Sequence, residues 1–439
     1  MRPYKCQVAV FKKANLFMNQ DNSSPLTVNS SALTYFGTRS EVATPDILIV
    51  SRVFPPEPGG IQDYVYNRCL QDPRRAIVLT AAAPDTKNFD AAQAFPVYRW
   101  FAPKFLHDLF ARTGLWGGII KQILYLIESW AIAIGLFFRY RYRYIEWFHG
   151  YDFPALLLLS YLLPIRYFIY LHGDDLLCSD RNALIRALFT LTLQRAEGII
   201  CNSNFTRNYV KARFQFTTPT YAINPTIRVE KFGGQSILDS AASLRADIRK
   251  AHNIPAQAVV ILSVGRLVRR KGFDRVIASL PSLLAQKIDV YYLICGRGAM
   301  ESKLKAIASQ LGVEQRTIFA GYVPDDRLAS YYAACDLLAM PTFFDAQVKS
   351  IEGFGIVYLE AGFFGKPVIA SRLGGVEDAV CHGENGLLVD PNSPTEFANS
   401  LLLLCQDEQL RAKLGHKGQE IASRQTPHRV IYQAKGEPL

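Results

Sequence analysis

The sequence predicts an α/β protein built from two doubly wound, Rossmann-like domains that face each other across a cleft. The first observation is its length of 439 residues, because domains usually contain about 100–200 residues. The second is an alternation of short apolar runs with longer helical periods, which is typical of a parallel sheet covered by helices on both faces. The third is a polar, weakly patterned stretch at 224–253 that separates two such series. Since open sheets of this kind bind ligands at the carboxyl ends of their strands, we expect the functional site in the cleft.

The first domain is predicted over residues 45–225. Its first strand is the apolar, β-branched run at 46–50. The loop that follows contains prolines and glycines that neither a helix nor a strand would tolerate, and a helix is predicted over 61–71. Four further strands are predicted at 76–79, 144–148, 167–171 and 198–201.

The second domain is predicted over residues 226–420, after a hinge near Asn224-Pro225. Its six strands are expected at 259–264, 290–295, 317–320, 337–340, 367–370 and 387–389. Helices are expected at 273–284, 300–311, 325–334, 357–364, 376–380 and 395–405. Residues 1–44, rich in Ser, Asn and Thr, are predicted to be a flexible N-terminal extension without the apolar core of a signal peptide.

Composition narrows the class of protein. Apolar residues make up 49% and charged residues 20%, so a wholly disordered chain is excluded. The 49 basic and 38 acidic residues give a net charge of +11, which favours an anionic partner: a nucleic acid, a phosphorylated ligand or an acidic membrane surface. The eight cysteines form no CxxC pair or Cys/His cluster, which argues against zinc and indicates reduced thiols and a cytoplasmic location.

The most apolar region, Leu124–Phe138, is about 15 residues long and carries Glu128. It falls short of the roughly 20 apolar residues that a transmembrane helix needs, so we predict a buried or interfacial helix. Residues 116–143 combine apolar, aromatic and basic side chains, and such a face would suit an anionic lipid surface. The alternative is a core helix followed by a solvated basic connection.

A basic loop, GRLVRRKG at 265–272, lies between a predicted strand and a predicted helix. Arg266 and Lys271 lie five residues apart across it, and Gly272 permits a close backbone approach. Two cations beside a helix N-terminus suit a diphosphate, although the spacing is not that of a Walker loop. A solvated basic turn is the alternative.

Two carboxylates, Glu352 and Glu360, are separated by seven residues in EGFGIVYLE. On one continuous helix they would lie about 12 Å apart along the axis, which is too far for the carboxyl pair of a glycosidase. The glycines favour a loop over 352–355 and a helix that begins near Ile356. Two carboxylates placed in this way suit separate contacts with sugar hydroxyls, while two ordinary structural glutamates are the alternative.

Two loops of the first domain are weaker candidates. Pro58-Gly-Gly-Ile61 follows the first strand and its amides suit a phosphate or an acceptor, with a simple tight turn as the alternative. His172 ends an apolar strand at a cleft position, although a structural histidine is the more common case. Asp174-Asp175 and Asp325-Asp326 lack the further ligands of a metal site, so no metal is predicted. Cys295-Gly-Arg-Gly298 lacks the third glycine of a dinucleotide-binding motif.

Taken together, residues 46–420 resemble the retaining glycosyltransferases of family 4, which have the two-domain GT-B fold. The matching segments are FPPEPGGIQDYV at 54, HGDD at 172, NSNFT at 202, the basic loop at 265, AGYVPDDRLASYYAACDLLAMPT at 320, and EGFGIVYLEA with GKPVIASRLGGVEDAV at 352–380. Their order and spacing agree across both domains. The resemblance implies a metal-independent hexosyltransferase that uses a nucleotide-diphosphate sugar as co-substrate and needs no other cofactor.

The resemblance also implies roles for individual residues of the second domain. Arg266 and Lys271 match the pair that holds the donor's diphosphate. Glu360 matches the carboxylate that binds the nucleotide ribose, and Glu352 matches the one that contacts the transferred sugar. The region of Tyr322 matches the wall around the base.

Five further positions complete this implied donor site. Gly355, Ile356 and Val357 match the helix start whose backbone touches sugar and phosphate. Gly60 matches the first-domain loop that closes over donor and acceptor. His172 matches the family's histidine near the reacting centre. The family's long final helix returns to the first domain, so residues 421–439 are expected to supply a short version of it.

The spelling EGFGIVYLEA is most similar to the branch that includes GDP-mannose-dependent phosphatidylinositol mannosyltransferases. This implies GDP-mannose as donor and a lipid or polysaccharide precursor as acceptor, in an enzyme on the cytoplasmic side of a membrane. UDP-glucose and UDP-N-acetylglucosamine stay open as donors. A sugar phosphorylase or epimerase on the same plan, and a non-catalytic nucleotide-sugar or polyanion-binding protein, also stay open. Without a recognised nucleic-acid-binding module, no nucleic-acid partner is predicted.

Overall fold

A seven-stranded, entirely parallel sheet forms the centre of the first half of the chain. The computed structural model describes residues 45–100, 114–179, 182–347, 350–424 and 430–433. The strands of this sheet are β1 Ile47–Ser51, β2 Ala76–Ala81, β3 Val97–Trp100, β4 Tyr144–Trp147, β5 Arg166–Leu171, β6 Gly198–Cys201 and β7 Thr220–Ala222. Their order across the sheet is β3-β2-β1-β4-β5-β6-β7.

A second parallel sheet of six strands forms the centre of the other half. Its strands are β8 Val259–Val264, β9 Val290–Cys295, β10 Thr317–Gly321, β11 Leu337–Met340, β12 Val368–Ser371 and β13 Gly386–Val389. Their order is β10-β9-β8-β11-β12-β13, so the strand order reverses beside β8. Both sheets are buried on both faces, and this explains why their strands read as continuous apolar runs.

Helices cover both sheets. In the first half they are α1 Gly60–Gln71, α2 Lys87–Ala91, α3 Gly114–Tyr140, α4 Phe153–Leu162, α5 Asp174–Ser179, α6 Ala183–Arg195 and α7 Asn204–Arg213. In the second half they are α8 Ala241–Ala251, α9 Phe273–Ala285, α10 Glu301–Gln310, α11 Asp325–Ala334, α12 Ile356–Phe363, α13 Val376–Ala379, α14 Pro394–Gln406, α15 Glu408–Ala422 and α16 Val430–Gln433. The predicted class of two doubly wound α/β domains is confirmed, and all described residues belong to one compact unit.

Most predicted strands and helices of the second half agree with the structure within about two residues. The weakly patterned stretch 224–253, for which no helix or strand was predicted, is largely helical. Two short 3₁₀ helices, Val229–Phe232 and Gln235–Ser240, precede α8 there. Two strands of the first half, β3 and β7, were missed because they have only four and three residues, most of them half-exposed.

Helix α3 is longer than the predicted apolar segment within it. The helix has 27 residues, and its window Ile123–Tyr140 is long and apolar enough to cross a membrane by length and composition alone, with 22% of the window buried. An apolar helix packed against a soluble domain meets the same criteria. The side chains before Ile123 lie outside the described part of the structure.

The last described helix, α16, packs into the first domain. Ile431 and Tyr432 are buried in the same apolar cluster as the strands β1 and β5. The Tyr432 hydroxyl donates a hydrogen bond of 2.7 Å to Glu146, which also pairs with the buried Arg68. The last described residues of the chain therefore pack against the first domain. The predicted extension at 1–44 lies outside the described residues.

Candidate active site

The basic loop at 265–272 leaves the end of β8 and leads into α9. Gly272 has φ +74°, and a Cβ atom at this position would lie 2.2 Å from the carbonyl oxygen of Pro341. Only glycine fits this close approach, so the chain turns sharply through the 3₁₀ helix Arg269–Lys271. That turn directs Lys271 and Arg270 towards Glu352.

Glu352 accepts hydrogen bonds from both cations at one carboxylate oxygen. Lys271 Nζ lies 2.6 Å and Arg270 Nη1 2.8 Å from Oε2. Burial opposes the charge of this carboxylate, but Lys271 and Arg270 outweigh it and lower the pKa of Glu352 to about 2. Burial also lowers the pKa of the Lys271 ammonium, and Glu352 opposes that change. The cluster is thus a partly buried unit of two cations and one anion.

The start of α12 follows directly after this carboxylate, as the sequence predicted. Gly355 has φ +87°, and a Cβ atom there would lie 2.3 Å from the ring of Tyr358, so glycine is required before the helix. Ile356 and Val357 form the first turn. Gly60, at the start of α1 in the first domain, faces this turn, because a Cβ atom on it would lie 3.1 Å from Ile356 Cγ2. The glycine loop of the first domain and the start of α12 therefore meet.

Glu360 lies one helical turn further along α12 and is 2% exposed. Its Oε2 accepts a hydrogen bond of 2.6 Å from the Tyr332 hydroxyl. Its Oε1 is paired with Lys231 Nζ. Lys231 is in turn paired with Asp63 of α1, at 2.8 Å.

His172 lies at the carboxyl end of β5, where the sequence placed it. Its Nε2 is 2.8 Å from the carbonyl oxygen of Phe148, and the ring of Tyr64 packs edge-on against it. Burial lowers the pKa of His172 below its ordinary value, so the neutral imidazole is favoured at neutral pH. The backbone amides of His172, Gly173 and Leu176 donate hydrogen bonds to Asp175.

The loop after β5 contacts the loop that carries Glu352. Asp174 accepts hydrogen bonds from Ser350 Oγ at 3.0 Å and from the amide of Ile351 at 3.1 Å. Gly353 lies so close to the backbone of His172 that a Cβ atom would fall 2.1 Å from its carbonyl oxygen. These contacts hold His172 beside the loop that carries Glu352.

Two predicted site residues stand apart from these contacts. Arg266 is exposed. Its positive charge contributes to the lowered pKa of Lys271, although burial is the main cause of that shift. Tyr322 follows β10 and is 46% exposed. The structure thus brings Lys271 to Glu352 and Gly60 to Ile356, while Arg266 and Tyr322 have exposed side chains that a ligand can reach.

Sequence reasoning missed four residues of the site: Arg270, Tyr332, Lys231 and Asp63. Arg270 lies inside the loop that the sequence singled out, but its spacing did not show which basic side chains turn inward. Lys231 contacts Glu360 across 129 residues of sequence and Asp63 across 168, and no short motif reports such pairs. Tyr332 lies within the helix predicted at 325–334, where no motif assigned its hydroxyl a role.

Comparison with known families assigns one model to each domain. The model described as Glycosyltransferase Family 4 matches residues 58–231, and the model described as Glycosyl transferases group 1 matches residues 245–421. Two such domains on paired parallel sheets define a glycosyltransferase with the GT-B fold. The chain belongs to the family 4 glycosyltransferases.

Two relatives show how far the similarity extends. A GDP-mannose-dependent alpha-(1-6)-phosphatidylinositol monomannoside mannosyltransferase of Mycobacterium tuberculosis is 27% identical over 387 residues, which is 85% of this chain and 92% of the relative. A D-inositol 3-phosphate glycosyltransferase of Corynebacterium glutamicum is 36% identical over 180 residues, or 40% of this chain and 41% of the relative.

Solved structures share the fold. Sucrose-phosphate synthase from Thermosynechococcus elongatus superposes with a TM-score of 0.70 at 20% identity, covering 89% of this chain and 97% of the other. Anabaena Alr3699/HepE in complex with UDP-glucose superposes with a TM-score of 0.68 at 21% identity, covering 89% and 98%. At these identities the likeness establishes the architecture alone.

Proposed function

We propose that this glycosyltransferase moves a hexose, with mannose favoured, from a nucleotide-diphosphate sugar to a lipid or polysaccharide-precursor acceptor, with retention of configuration. The observation that carries the proposal is the contact of Lys271 and Arg270 with Glu352 beside the start of α12. Cations suit a diphosphate, and a carboxylate suits sugar hydroxyls. This cluster therefore offers cations to the diphosphate and a carboxylate to the sugar, the two groups that the breaking bond joins.

The proposed chemistry follows from where charge develops. As the glycosidic bond breaks, negative charge grows on the departing diphosphate. Arg266, Lys271 and the amides at the start of α12 stabilise this charge without a metal. The acceptor hydroxyl attacks from the same face as the leaving group, the phosphate takes its proton, and the configuration is retained without a protein nucleophile. His172 lies beside this centre, and the glycine loop at Gly60, which meets the start of α12, excludes water.

GDP-mannose is the favoured donor. The support is the activity named for relatives that align over most of the chain at 27–28% identity. Glu360 is proposed to bind the ribose and the region of Tyr322 to border the base. A UDP-sugar is the alternative, because the cluster around Glu352 suits diphosphate and sugar whatever the base.

The test is thermal stabilisation of the purified protein by GDP, UDP, GDP-mannose, UDP-glucose and UDP-N-acetylglucosamine. A ligand at about 100 times its dissociation constant adds roughly 2.7 kcal/mol to the free energy of unfolding. We expect stabilisation by GDP and GDP-mannose. Stabilisation by the UDP compounds alone would rule out GDP-mannose as the donor. The proposed reaction, transfer of a hexose from a nucleotide-diphosphate sugar, would still stand.

Two further outcomes separate the other classes of protein. No stabilisation by any nucleotide would contradict the proposed donor site. Stabilisation without transfer to any acceptor in an isolated lipid fraction would indicate a non-catalytic nucleotide-sugar-binding protein. A requirement for inorganic phosphate would instead indicate a phosphorylase.

A lipid acceptor agrees with the surface of α3. Ile123, Ile127 and Phe138 are 49%, 55% and 62% exposed. Exposed Arg139 and Arg141 follow at the end of the helix. Apolar side chains next to arginines suit a membrane with anionic lipids, at about 1 kcal/mol per basic residue near the surface. We propose that this face rests peripherally on the cytoplasmic leaflet.

Sedimentation with vesicles tests the membrane contact. We expect the protein to pellet at low salt with vesicles that contain phosphatidylglycerol and not with pure phosphatidylcholine. Ile127→Glu should weaken the association several-fold, while Leu403→Glu, at an exposed leucine of the second domain, should leave it unchanged. Equal binding by both variants would contradict this surface.

A further inference from the structure

The carboxylate of Glu360 is joined to the first domain through a chain of buried charges. Lys231 Nζ pairs with Glu360 Oε1 on one side and lies 2.8 Å from Asp63 Oδ2 on the other. The side chains of all three are at most 6% exposed. Asp63 belongs to α1, three residues after Gly60. A single ammonium group thus joins α12 of the second domain to α1 of the first.

The chain of charges extends beyond Asp63. Arg228 Nε lies 2.9 Å from Asp63 Oδ1, and its Nη2 lies 2.7 Å from Asp325 at the start of α11. The ring of Tyr66 packs beneath the same guanidinium. Two cations therefore fix both oxygens of Asp63, and this leaves α1 little freedom to slide against the second domain.

The geometry leaves Glu360 able to bind a ligand. A carboxylate has about four lone-pair positions. Lys231 takes one at Oε1, and the Tyr332 hydroxyl takes one at Oε2. Among the residues that the structure describes, no other donor takes the remaining position on each oxygen, and these two positions match the two neighbouring hydroxyls of a ribose. Lys231 and Tyr332 together fix the plane of the carboxylate.

Lys231 is held as a cation between the two carboxylates. Although burial opposes its charge, Glu360 and Asp63 raise the pKa of the Lys231 ammonium above its ordinary value. Burial raises the pKa of Asp63, and Lys231 opposes that change. Removing the cation would leave two buried carboxylates facing each other, which is strongly unfavourable.

We propose that Lys231 and Asp63 are positioning residues that set the orientation of Glu360 for the two ribose hydroxyls and make it depend on α1. This rests on the proposed function, in which Glu360 binds the nucleotide ribose. Neither residue needs to touch the donor. Because Gly60 begins the same helix as Asp63, the glycine loop and the ribose-binding carboxylate are held in a fixed relation.

Discrimination between ribose and its dideoxy form tests this proposal. Calorimetry would give the dissociation constants of GDP, UDP and their 2′,3′-dideoxy analogues, and the ratio reports what the two hydroxyls contribute. For the nucleotide that binds, we expect the wild-type protein to favour the ribonucleotide at least about tenfold, the size expected for hydrogen bonds to a charged acceptor. A role in folding alone would change both dissociation constants equally and leave the ratio as it is.

Four variants decide the outcome. Lys231→Met should bring the ratio to within about twofold of one, Asp63→Asn should lower it about threefold, and Lys231→Arg should restore most of it. Glu230→Gln is the matched control, because Glu230 is exposed on the same 3₁₀ helix and its ratio should equal that of the wild type. A wild-type ratio in Lys231→Met overturns the proposal. If that variant does not fold, a wild-type ratio in Asp63→Asn, which keeps the side-chain size, overturns it.

Failure of the proposed function gives a different result. If neither GDP nor UDP binds to the wild-type protein, or if Glu360→Gln leaves the ratio unchanged, the ribose role of Glu360 is wrong and this proposal falls with it. If Glu360→Gln lowers the ratio and the variants of Lys231 and Asp63 do not, only the positioning role is wrong.

Discussion

At the scale of single residues, Glu352 shares its two cations with whatever anion enters the site. Lys271 and Arg270 both contact its Oε2 before any ligand arrives. On the proposed roles, a diphosphate would draw these cations partly away from the carboxylate. The carboxylate would then be free to accept hydrogen bonds from the sugar.

Substitution of these residues should separate diphosphate binding from sugar binding. Lys271→Ala is expected to weaken the binding of the nucleotide sugar and of the free nucleoside diphosphate alike, by about 10- to 100-fold. Each ligand loses one charged hydrogen bond. Glu352→Ala should weaken the binding of the nucleotide sugar about tenfold more than the binding of the free nucleoside diphosphate, because only the sugar loses a hydrogen-bond partner. Calorimetric titration of both ligands measures the two effects, and equal losses in both variants would contradict the assigned roles.

The same carboxylate gives a pH dependence of stability. The pKa of Glu352 falls from its ordinary 4.5 to about 2 in the folded protein. Because the folded state binds this proton less tightly than the unfolded state, the stabilisation is complete above about pH 4.5 and is lost as the pH falls towards 2. The shift corresponds to about 3 kcal/mol.

Thermal unfolding of the wild type and Glu352→Gln between pH 7 and pH 3 measures this effect. The difference in melting temperature should be constant down to about pH 5 and should shrink below it. A difference that stays constant to pH 3 would show that Glu352 is not a stabilised anion in the folded protein.

At the scale of elements, the loops at 172–175 and 350–355 form a close backbone contact. Gly353→Ala would place a Cβ atom 2.1 Å from the carbonyl oxygen of His172, so the loops must separate. We expect transfer to fall by about 10²-fold, since misplacement by about 1 Å has this effect on a positioned reaction. Initial-rate assays would measure the change.

Gly135→Ala is the matched control for this substitution. A Cβ atom on Gly135, inside α3, meets no other atom within 4 Å, and alanine favours a helix more than glycine does. Its activity should equal that of the wild type. Similar losses in both variants would mean that crowding between the two loops is not the cause.

The elements also show what periodicity could reveal and what it could not. The central strands were predictable because both their faces are buried and their residues are apolar. Helix α8 was not, because its apolar stripe is short, with Ala241, Leu244 and Ile248, and two arginines also anchor it. Arg249 donates to four backbone carbonyl groups, and Arg245 and Arg249 both pair with Asp336. Such polar anchoring adds nothing to a hydrophobic pattern.

The candidate site was predictable to the same extent. Glycines and charged residues at strand ends located both of its loops. Which cation points inward depends on the 3₁₀ turn at 269–271, which brought in Arg270 and left Arg266 exposed. The contact of Lys231 with Asp63 depends on how the two domains pack, which no local pattern encodes.

At the scale of the whole molecule, Tyr432 completes a buried polar network in the first domain. Glu146 accepts hydrogen bonds from Arg68, Tyr170 and Tyr432, and it is fully buried. Tyr432→Phe should cost about 1–3 kcal/mol, because a buried charged acceptor loses a donor. Hydrogen exchange should become faster in β4 and β5, far away in sequence from the substitution.

Tyr161→Phe is the control for the loss of a tyrosine hydroxyl, because Tyr161 is 58% exposed. Its melting temperature and exchange rates should match those of the wild type. If Tyr432→Phe also matches the wild type, or if its faster exchange is confined to the second domain, the network does not stabilise the first domain.

The position of Tyr432 also bears on how the chain folds as it is made. Glu146 and Tyr432 are 286 residues apart, so at about 5–20 residues per second the ribosome adds the tyrosine roughly 15–60 s after the glutamate. Throughout that interval the nascent first domain holds a buried carboxylate that lacks one of its donors. We therefore expect this domain to reach its final stability only after the second domain has been synthesised, which makes it a candidate client for chaperones during translation.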